Sequence, residues 1–408
     1  MNRGFYTILA AQFFSSLADN ALLFAAIAVL KSIHAPSWQT PVLQQFFVVA
    51  FIVLAPFVGP FSDALPKGRV MLISNSIKML GCAAILIGVH PLLAYGLVGV
   101  GAAMYSPAKY GILTEYLPPR KLVWANGWME GLTVAAIILG AIFGGLLIGH
   151  RIEEEVGRQL GNMEYNAGID TAPEFAILVI FGIYFIAMLF NLYIPKLPIE
   201  HSLPKRTLGF LFADFWHCFL QLWKDPLGQV SLAVTSLFWG AGTTLRFIIL
   251  AWAASSLKLD LEQATQLTAV VAVGIAIGSV GAAKAVPLEH AVKVLSLGVA
   301  MGVVVALMVF VTDWRVAIPL LILIGALGGS FVIPMNALLQ HRGHQLMGSG
   351  HSIALQNFNE NISILLMLGA YALMVKAGFS VNFTVVAFGI FVAVMMGWLN
   401  IKHGHDQD

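Results

Sequence analysis

The chain has 408 residues, of which 59% are hydrophobic and only 10% charged. Soluble domains carry about 25% charged residues, so the composition excludes a water-soluble globule and points to an all-α integral membrane protein. A formal net charge of +2 excludes a nucleic-acid binder working through a basic surface, and two cysteines exclude a disulfide scaffold.

Crossing a bilayer as a helix takes about twenty predominantly apolar residues. Such runs fall near 5–32, 42–64, 70–89, 91–112, 123–149, 174–194, 227–256, 262–286, 291–311, 316–338, 346–375 and 379–401, twelve in all. The first follows Arg3, contains Asp19 and is too long for the apolar core of a signal peptide, so it reads as an uncleaved membrane helix. The third and fourth meet at His90-Pro91 as a tight hairpin. A charged segment from Pro195 to Asp225 divides the spans into six and six. The expected organisation is an N-terminal six-helix bundle over 1–194, a cytoplasmic linker over 195–226 and a C-terminal six-helix bundle over 227–408.

Basic residues orient the spans, because cytoplasmic loops carry an excess of them. With the N-terminus inside, the inner segments hold Arg3, Lys67, Arg69, Arg120, Lys121, Lys196, Lys205, Arg206, Lys224, Lys284, Lys293, Arg342 and Lys402. The outer ones hold Lys31, Arg151, Arg158, Lys258, Arg315 and Lys376, so the count is thirteen against six. Both termini are expected on the cytoplasmic side. The acid-rich loop 150–173, with Glu153, Glu154, Glu155, Glu164 and Asp170, is expected outside.

Four strongly polar residues interrupt apolar sequence on the first, fourth, seventh and tenth spans: Asp19, Lys109, Arg246 and Asn336. An ion inside a bilayer costs at least ~2.5–3.5 kcal/mol, so such groups face water, one another or a polar ligand. Asp19, beside Asn20, could bind a cationic group, carry a coupling proton or make a structural ion pair. Lys109, four residues after Tyr105, could hold a phosphate, pair with Asp19 or Glu130, or snorkel to the inner interface. Arg246 suits bidentate phosphate binding. On the eleventh span Asn357 and Glu360 share a helical face, where they could contact a ligand or fix helix packing. Gly140, Gly144, Gly145, Gly149, Gly274 and Gly278 read as small-residue faces for close helix approach. His341, His344 and His351 read as solvated loop histidines between the tenth and eleventh spans. No zinc-protease H-E-x-x-H and no phosphate-binding G-x-x-x-x-G-K-[ST] sequence occurs, so neither metal nor cofactor is expected.

The halves repeat one another weakly. Asp63-Ala64-Leu65-Pro66 precedes the third span and Lys284-Ala285-Val286-Pro287 the ninth; Gly101 and Pro107 match Gly328 and Pro334 in separation; Asn126 and Glu130 answer Asn357 and Glu360. Their common order favours duplicated six-helix units in parallel orientation. That arrangement resembles the major facilitator fold, in which helices 1, 4, 7 and 10 line the pathway. The segment Gly59-Pro60-Phe61-Ser62-Asp63, followed by Lys67 and Arg69, resembles the loop signature of that superfamily, with Pro66 and Gly68 shifting the usual positions. The resemblance implies that Asp63 forms a cytoplasmic gate with the start of the eleventh helix. Pseudo-symmetry then sets Lys284 against Glu130.

Three runs carry a closer resemblance: Ala18-Asp19-Asn20-Ala21, Tyr105-Ser106-Pro107-Ala108-Lys109-Tyr110-Gly111 and Ala125-Asn126-Gly127-Trp128-Met129-Glu130-Gly131. They resemble the bacterial lysophospholipid transporter family over the whole chain. What this implies is a carrier and not an enzyme, moving lysophosphatidylethanolamine and related lysophospholipids across the inner membrane to the cytoplasmic face. There a separate acyltransferase/acyl-carrier-protein synthetase would reacylate them. The resemblance also implies transport without ATP or a proton gradient. The alternative is a proton-coupled major facilitator transporter of another small amphipathic solute, with Asp19 or Glu130 as proton carrier.

Overall fold

The computed structural model describes residues 3–35, 39–149, 154, 171–197, 207–259 and 261–403. Most of the acid-rich loop, including Glu153, Glu155, Glu164 and Asp170, lies outside the described residues, as do Lys205 and Arg206 of the expected linker. In sequence order the helices are α1 (Arg3–Ser32), α2 (Gln39–Val53), α3 (Ala55–Asp63), α4 (Lys67–Leu86), α5 (Pro91–Tyr116), α6 (Leu122–Leu147) and α7 (Ala172–Leu192). There follow α8 (Leu208–Lys224), α9 (Pro226–Ser256), α10 (Leu261–Ala285), α11 (Leu295–Leu307), α12 (Trp314–Met347), α13 (Ser349–Lys376) and α14 (Val381–His403).

An apolar solvent offers no partner to peptide N–H and C=O groups, so a spanning chain satisfies them internally as helix. Among the described residues, ten stretches are long and apolar enough to cross a membrane unaided. The pair α2 and α3, bent by 62° at a short break, meets the same test only when taken together. Pro56 in the first turn of α3 and Pro60 inside it explain the break, since proline lacks the N–H and crowds the carbonyl four residues back. At 26 residues α5 is long enough to span a bilayer but is not among these stretches.

One expectation fails locally. The expected loop after residue 338 is helix: α12 runs on to Met347 and carries His341 and His344, and α13 begins at Ser349 with His351 in its first turn. Gly348, at φ 98°, makes the whole connection; a left-handed residue reverses the backbone in one step, and only glycine adopts it without strain. Within the expected linker, residues 208–224 form α8. Its buried side carries Phe215, Cys218 and Leu222, and its other side exposes Leu208, Phe212, Trp216 and Leu220.

The chain forms two compact units. The first comprises Met1–Ile112, Ala135–Phe212 and Ser349–Ala354, and the second Leu113–Val134, Ala213–Gly348 and Leu355–Asp408. In the first, α7 packs on α1 and α4, and the core is a seam of small and branched residues: Ala18, Ala21, Leu22 and Ala25 against Cys82, Ile85, Ile180 and Tyr184. In the second, α10 packs on α12 and α11 on α14. Lipid is as apolar as these side chains, so close packing, not water exclusion, holds such helices together. Gly140 and Gly144 of α6 supply it against α1: a methyl at either would lie 2.8 Å from the Leu17 or Ala21 carbonyl oxygen. Gly274 and Gly278 of α10 do the same against Ile322 and Ala326 of α12. Gly145 faces open space and Gly149 meets only its own turn, so neither has the expected packing role. Both cysteines are free and buried.

Candidate functional site

The first unit contains a buried polar centre around Asp19. Ser15 and Asp19 stand one turn apart on α1, and Asn75 and Lys78 share a face of α4, which turns that face towards α1. Lys78 Nζ donates to Asp19 Oδ2 at 2.8 Å and to Ser15 Oγ at 3.1 Å. The Tyr184 hydroxyl on α7 donates to Asp19 Oδ1 at 2.6 Å. Ser15 in turn donates to Asn75 Oδ1 at 2.8 Å. The remaining face of the ammonium looks onto aromatic rings: Nζ lies 4.8 Å from the Tyr105 centroid and 5.6 Å from that of Tyr184. The Lys78 side chain is 1% exposed and that of Asp19 20%. Gly101 of α5 makes room for the lysine stem, since a methyl there would lie 2.7 Å from Lys78 Cγ.

The charges hold each other in place. Removing one partner of a buried pair leaves an uncompensated ion, at about 3–5 kcal/mol. Both carboxylate oxygens are engaged, and charge-assisted bonds of this length are roughly twice as strong as neutral ones. Of the cations weighed for Asp19 from sequence, Lys109 and Arg246, neither makes this pair; Lys78 does. Asn20 donates to its own Ser16 carbonyl at 2.8 Å and takes no part. Tyr105 is 3% exposed and belongs to the centre through its ring. Lys109 is buried, with Nζ 4.3 Å from the Tyr110 centroid.

A second buried cluster in the same unit surrounds Asp63. Asp63, the last residue of α3, accepts from Gly350 N at 2.8 Å, His351 N at 3.1 Å and His351 Nδ1 at 2.6 Å. Lys67 Nζ donates to its Oδ1 at 2.7 Å and to the Ser62 carbonyl at 2.9 Å. A carboxylate at a helix N-terminus meets unsatisfied N–H groups and the positive end of the helix dipole. The expected neighbour of Asp63, the start of the eleventh span, is therefore where α13 begins. Glycine on both sides allows the approach: a methyl on Gly350 would lie 2.6 Å from Asp63 Oδ1, and one on Gly59 2.9 Å from the His351 Cα.

The second unit has polar chains of its own. Gln356 Nε2 donates to Asn336 Oδ1 at 2.9 Å and to Glu360 Oε1 at 2.7 Å, linking α12 to α13. Asn126 and Gln340 exchange amide hydrogen bonds at 2.9 and 2.8 Å, both residues buried. Asn357 is half-buried, Arg246 is exposed on α9, and Glu130 is buried on α6. Lys284 is exposed at the end of α10 and has no hydrogen-bond or ion-pair partner among the described residues, so the structure does not bring it onto Glu130. Among the described residues no three His, Cys, Asp or Glu side chains converge as metal ligands do.

Sequence reasoning missed Lys78, Tyr184, His351 and Gln356. Lys78 carried a signal, a cation inside an apolar span with Asn75 three residues before it.

Comparison with known proteins gives these clusters their context. The profile of the Major Facilitator Superfamily matches residues 8–366. A protein of Yersinia enterocolitica named lysophospholipid transporter LplT is 45% identical over 379 residues, covering 93% of this chain and 89% of that protein. The protein of the same name from Salmonella arizonae is 43% identical over 400 residues, 98% of this chain and 95% of its own length. Among solved structures, the major facilitator transporter FucP in the outward conformation superposes with a TM-score of 0.75 at 15% identity, over 98% of both chains. A bacterial homologue of the iron transporter ferroportin does so at 0.70 and 16%, over 98% of this chain and 100% of that one; at such identities these two show the fold alone.

Proposed function

We propose a mechanism from one premise: the chain belongs to the Major Facilitator Superfamily and, within it, to the family of lysophospholipid transporters named LplT. It is a multi-pass membrane transporter and not an enzyme. The cargo in this reading is lysophosphatidylethanolamine together with related lysophospholipids. They are carried across the bacterial inner membrane to the cytoplasmic face, for reacylation by a separate acyltransferase/acyl-carrier-protein synthetase. Both termini lie on the cytoplasmic side, following the thirteen-to-six excess of basic residues.

One observation carries the head-group assignment, the buried centre of Asp19, Lys78, Tyr105 and Tyr184. A zwitterionic phosphoethanolamine needs an acid for its ammonium and cations for its phosphate, in a water-poor setting where such bonds strengthen. Asp19, the more exposed partner of its pair, takes the ammonium. Within the same unit Lys109 serves the phosphate. In this reading the Asp63 cluster is a cytoplasmic gate: the carboxylate grips the first turn of α13 when closed and lets it go when open. Lys284 and Glu130 belong to the corresponding gate of the other repeat and pair in another state of the cycle.

The test is movement of labelled lysophosphatidylethanolamine in proteoliposomes holding only this protein. Movement that survives collapse of the proton gradient supports the reading. Its loss on collapse favours a proton-coupled carrier, and no movement at all overturns it.

A further inference from the structure

Lys78 sits where a ligand would be expected. A carboxylate at 2.8 Å, a hydroxyl at 3.1 Å and two tyrosine rings at 4.8 and 5.6 Å surround its ammonium. An anion flanked by aromatic faces is the chemistry that recognises a primary or quaternary ammonium. We infer that Asp19, Ser15, Tyr105 and Tyr184 form an ammonium seat that the chain fills with its own Lys78, and that this resident cation sets which lipid head groups are accepted.

Three further features support the seat. The lysine head is a compact charge on a flexible four-carbon stem, so it can leave without backbone movement. Gly101 lets that stem lie close to α5, where a methyl would meet Lys78 Cγ at 2.7 Å. Asn75 is fully buried beside the pair and its Nδ2 has no hydrogen-bond partner among the described residues, a donor waiting for a water or an anionic oxygen. With Lys78 in place the centre is neutral overall, and a head group without an ammonium, such as that of lysophosphatidylglycerol, meets no net negative charge. A head group with an ammonium competes with Lys78 for Asp19, and the displaced lysine is then available to its phosphate.

This inference rests on the lysophospholipid reading, and its test separates the two. Failure of the wild-type protein to move either lipid would overturn that reading alone. In Lys78→Ala protein the vacated seat should bind ethylammonium, read as a rise in the thermal unfolding midpoint of purified protein. Wild-type protein and the Asp19→Asn/Lys78→Ala double variant should show no such rise. This measurement needs no transport and survives a variant of low activity. In proteoliposomes, Lys78→Met should lower lysophosphatidylglycerol movement about tenfold or more relative to lysophosphatidylethanolamine, the scale of one charged hydrogen bond. Added ethylammonium should restore the glycerol lipid to Lys78→Ala protein. Equal loss of both lipids with no amine effect would reduce Lys78 to a structural counter-ion and overturn the inference. So would unchanged selectivity.

Discussion

Tyr184 holds Asp19 by a single hydrogen bond of 2.6 Å, and the pair makes the first prediction sharp. Tyr184→Phe removes that donor and keeps the ring beside Lys78. A hydrogen bond to a charged group contributes about 1.5–3 kcal/mol, so the variant should unfold at lower temperature in detergent while still inserting. Asp19→Asn removes the charge itself, and should weaken lysophosphatidylethanolamine movement roughly ten- to 150-fold by the same magnitude, with lysophosphatidylglycerol affected less. Equal loss of both lipids in well-folded protein would mean that Asp19 serves only its neighbours. At this scale half of the centre was legible. An acid in the middle of an apolar span is expensive wherever it sits, so Asp19 stood out from sequence. Its partners did not, because helical spacing says which residues share a face of one helix and nothing about which face of another it meets. Lys78 was visible as a cation inside an apolar span beside Asn75, but nothing in that span says that its partner is Asp19.

Helix ends bring two predictions of their own. Asp225 caps α9 by accepting from Gly228 N at 2.8 Å and also pairs with Arg342 of α12. Partial burial works against its charged form, but the Arg342 hydrogen bonds and the Gly228 N–H outweigh it and hold the carboxyl below the usual carboxylate range. A depressed carboxylate contributes stability that is fully present above its unfolded value, about 4, and that is lost as pH falls through the folded one. Thermal unfolding of the wild type should therefore lose midpoint between about pH 4 and lower values, and Asp225→Asn should show less of that loss. At the other cluster, Gly350→Ala forces a methyl within 2.6 Å of Asp63 Oδ1 and 2.7 Å of the Gly59 carbonyl. Overpacking of this kind costs about 1–3 kcal/mol, so the variant should unfold earlier than Ser349→Ala, which adds no atoms. Helix existence was readable from apolar length along the expected spans but not for α8, which lies in the expected linker. The breaks were less so: the second span read as one continuous run although Pro56 and Pro60 interrupt it between α2 and α3, and the run from α12 into α13 looked like a loop because its histidines and glycines are polar or flexible in isolation. Burial of His351 against Asp63 is a tertiary fact with no local signal.

Across the whole molecule the predicted architecture rests on a periodic alternation of apolar runs and charged connections, which bilayer thickness imposes on any chain of this kind. That is why an all-helical membrane fold and the family could be read from one sequence. Orientation rests on charge, and impermeant thiol labelling checks it: a cysteine at Gly157 should react from the periplasmic side and one at Pro204 should not, with the reverse pattern overturning the assignment. The symmetry argument reached less far. It located Asp63 and Lys284 as counterparts of opposite sign, yet Asp63 is enclosed by four donors while Lys284 stands exposed. A duplicated sequence keeps its register more faithfully than its contacts, because each contact depends on what the other helix presents in the state observed.

The two native thiols bear on how all of this can be measured. Cys82 is 0% exposed and Cys218 6%, and a thiol reacts only where a reagent can reach it and its thiolate can form. Introduced cysteines can therefore be read on the natural background with little signal from the native pair. Cys82 also lies one helical turn beyond Lys78, packed in the seam with Ala18 and Tyr184. A small uncharged maleimide that begins to modify Cys82 when lipid is added would make this silent residue a clock for the opening of α4 from α1.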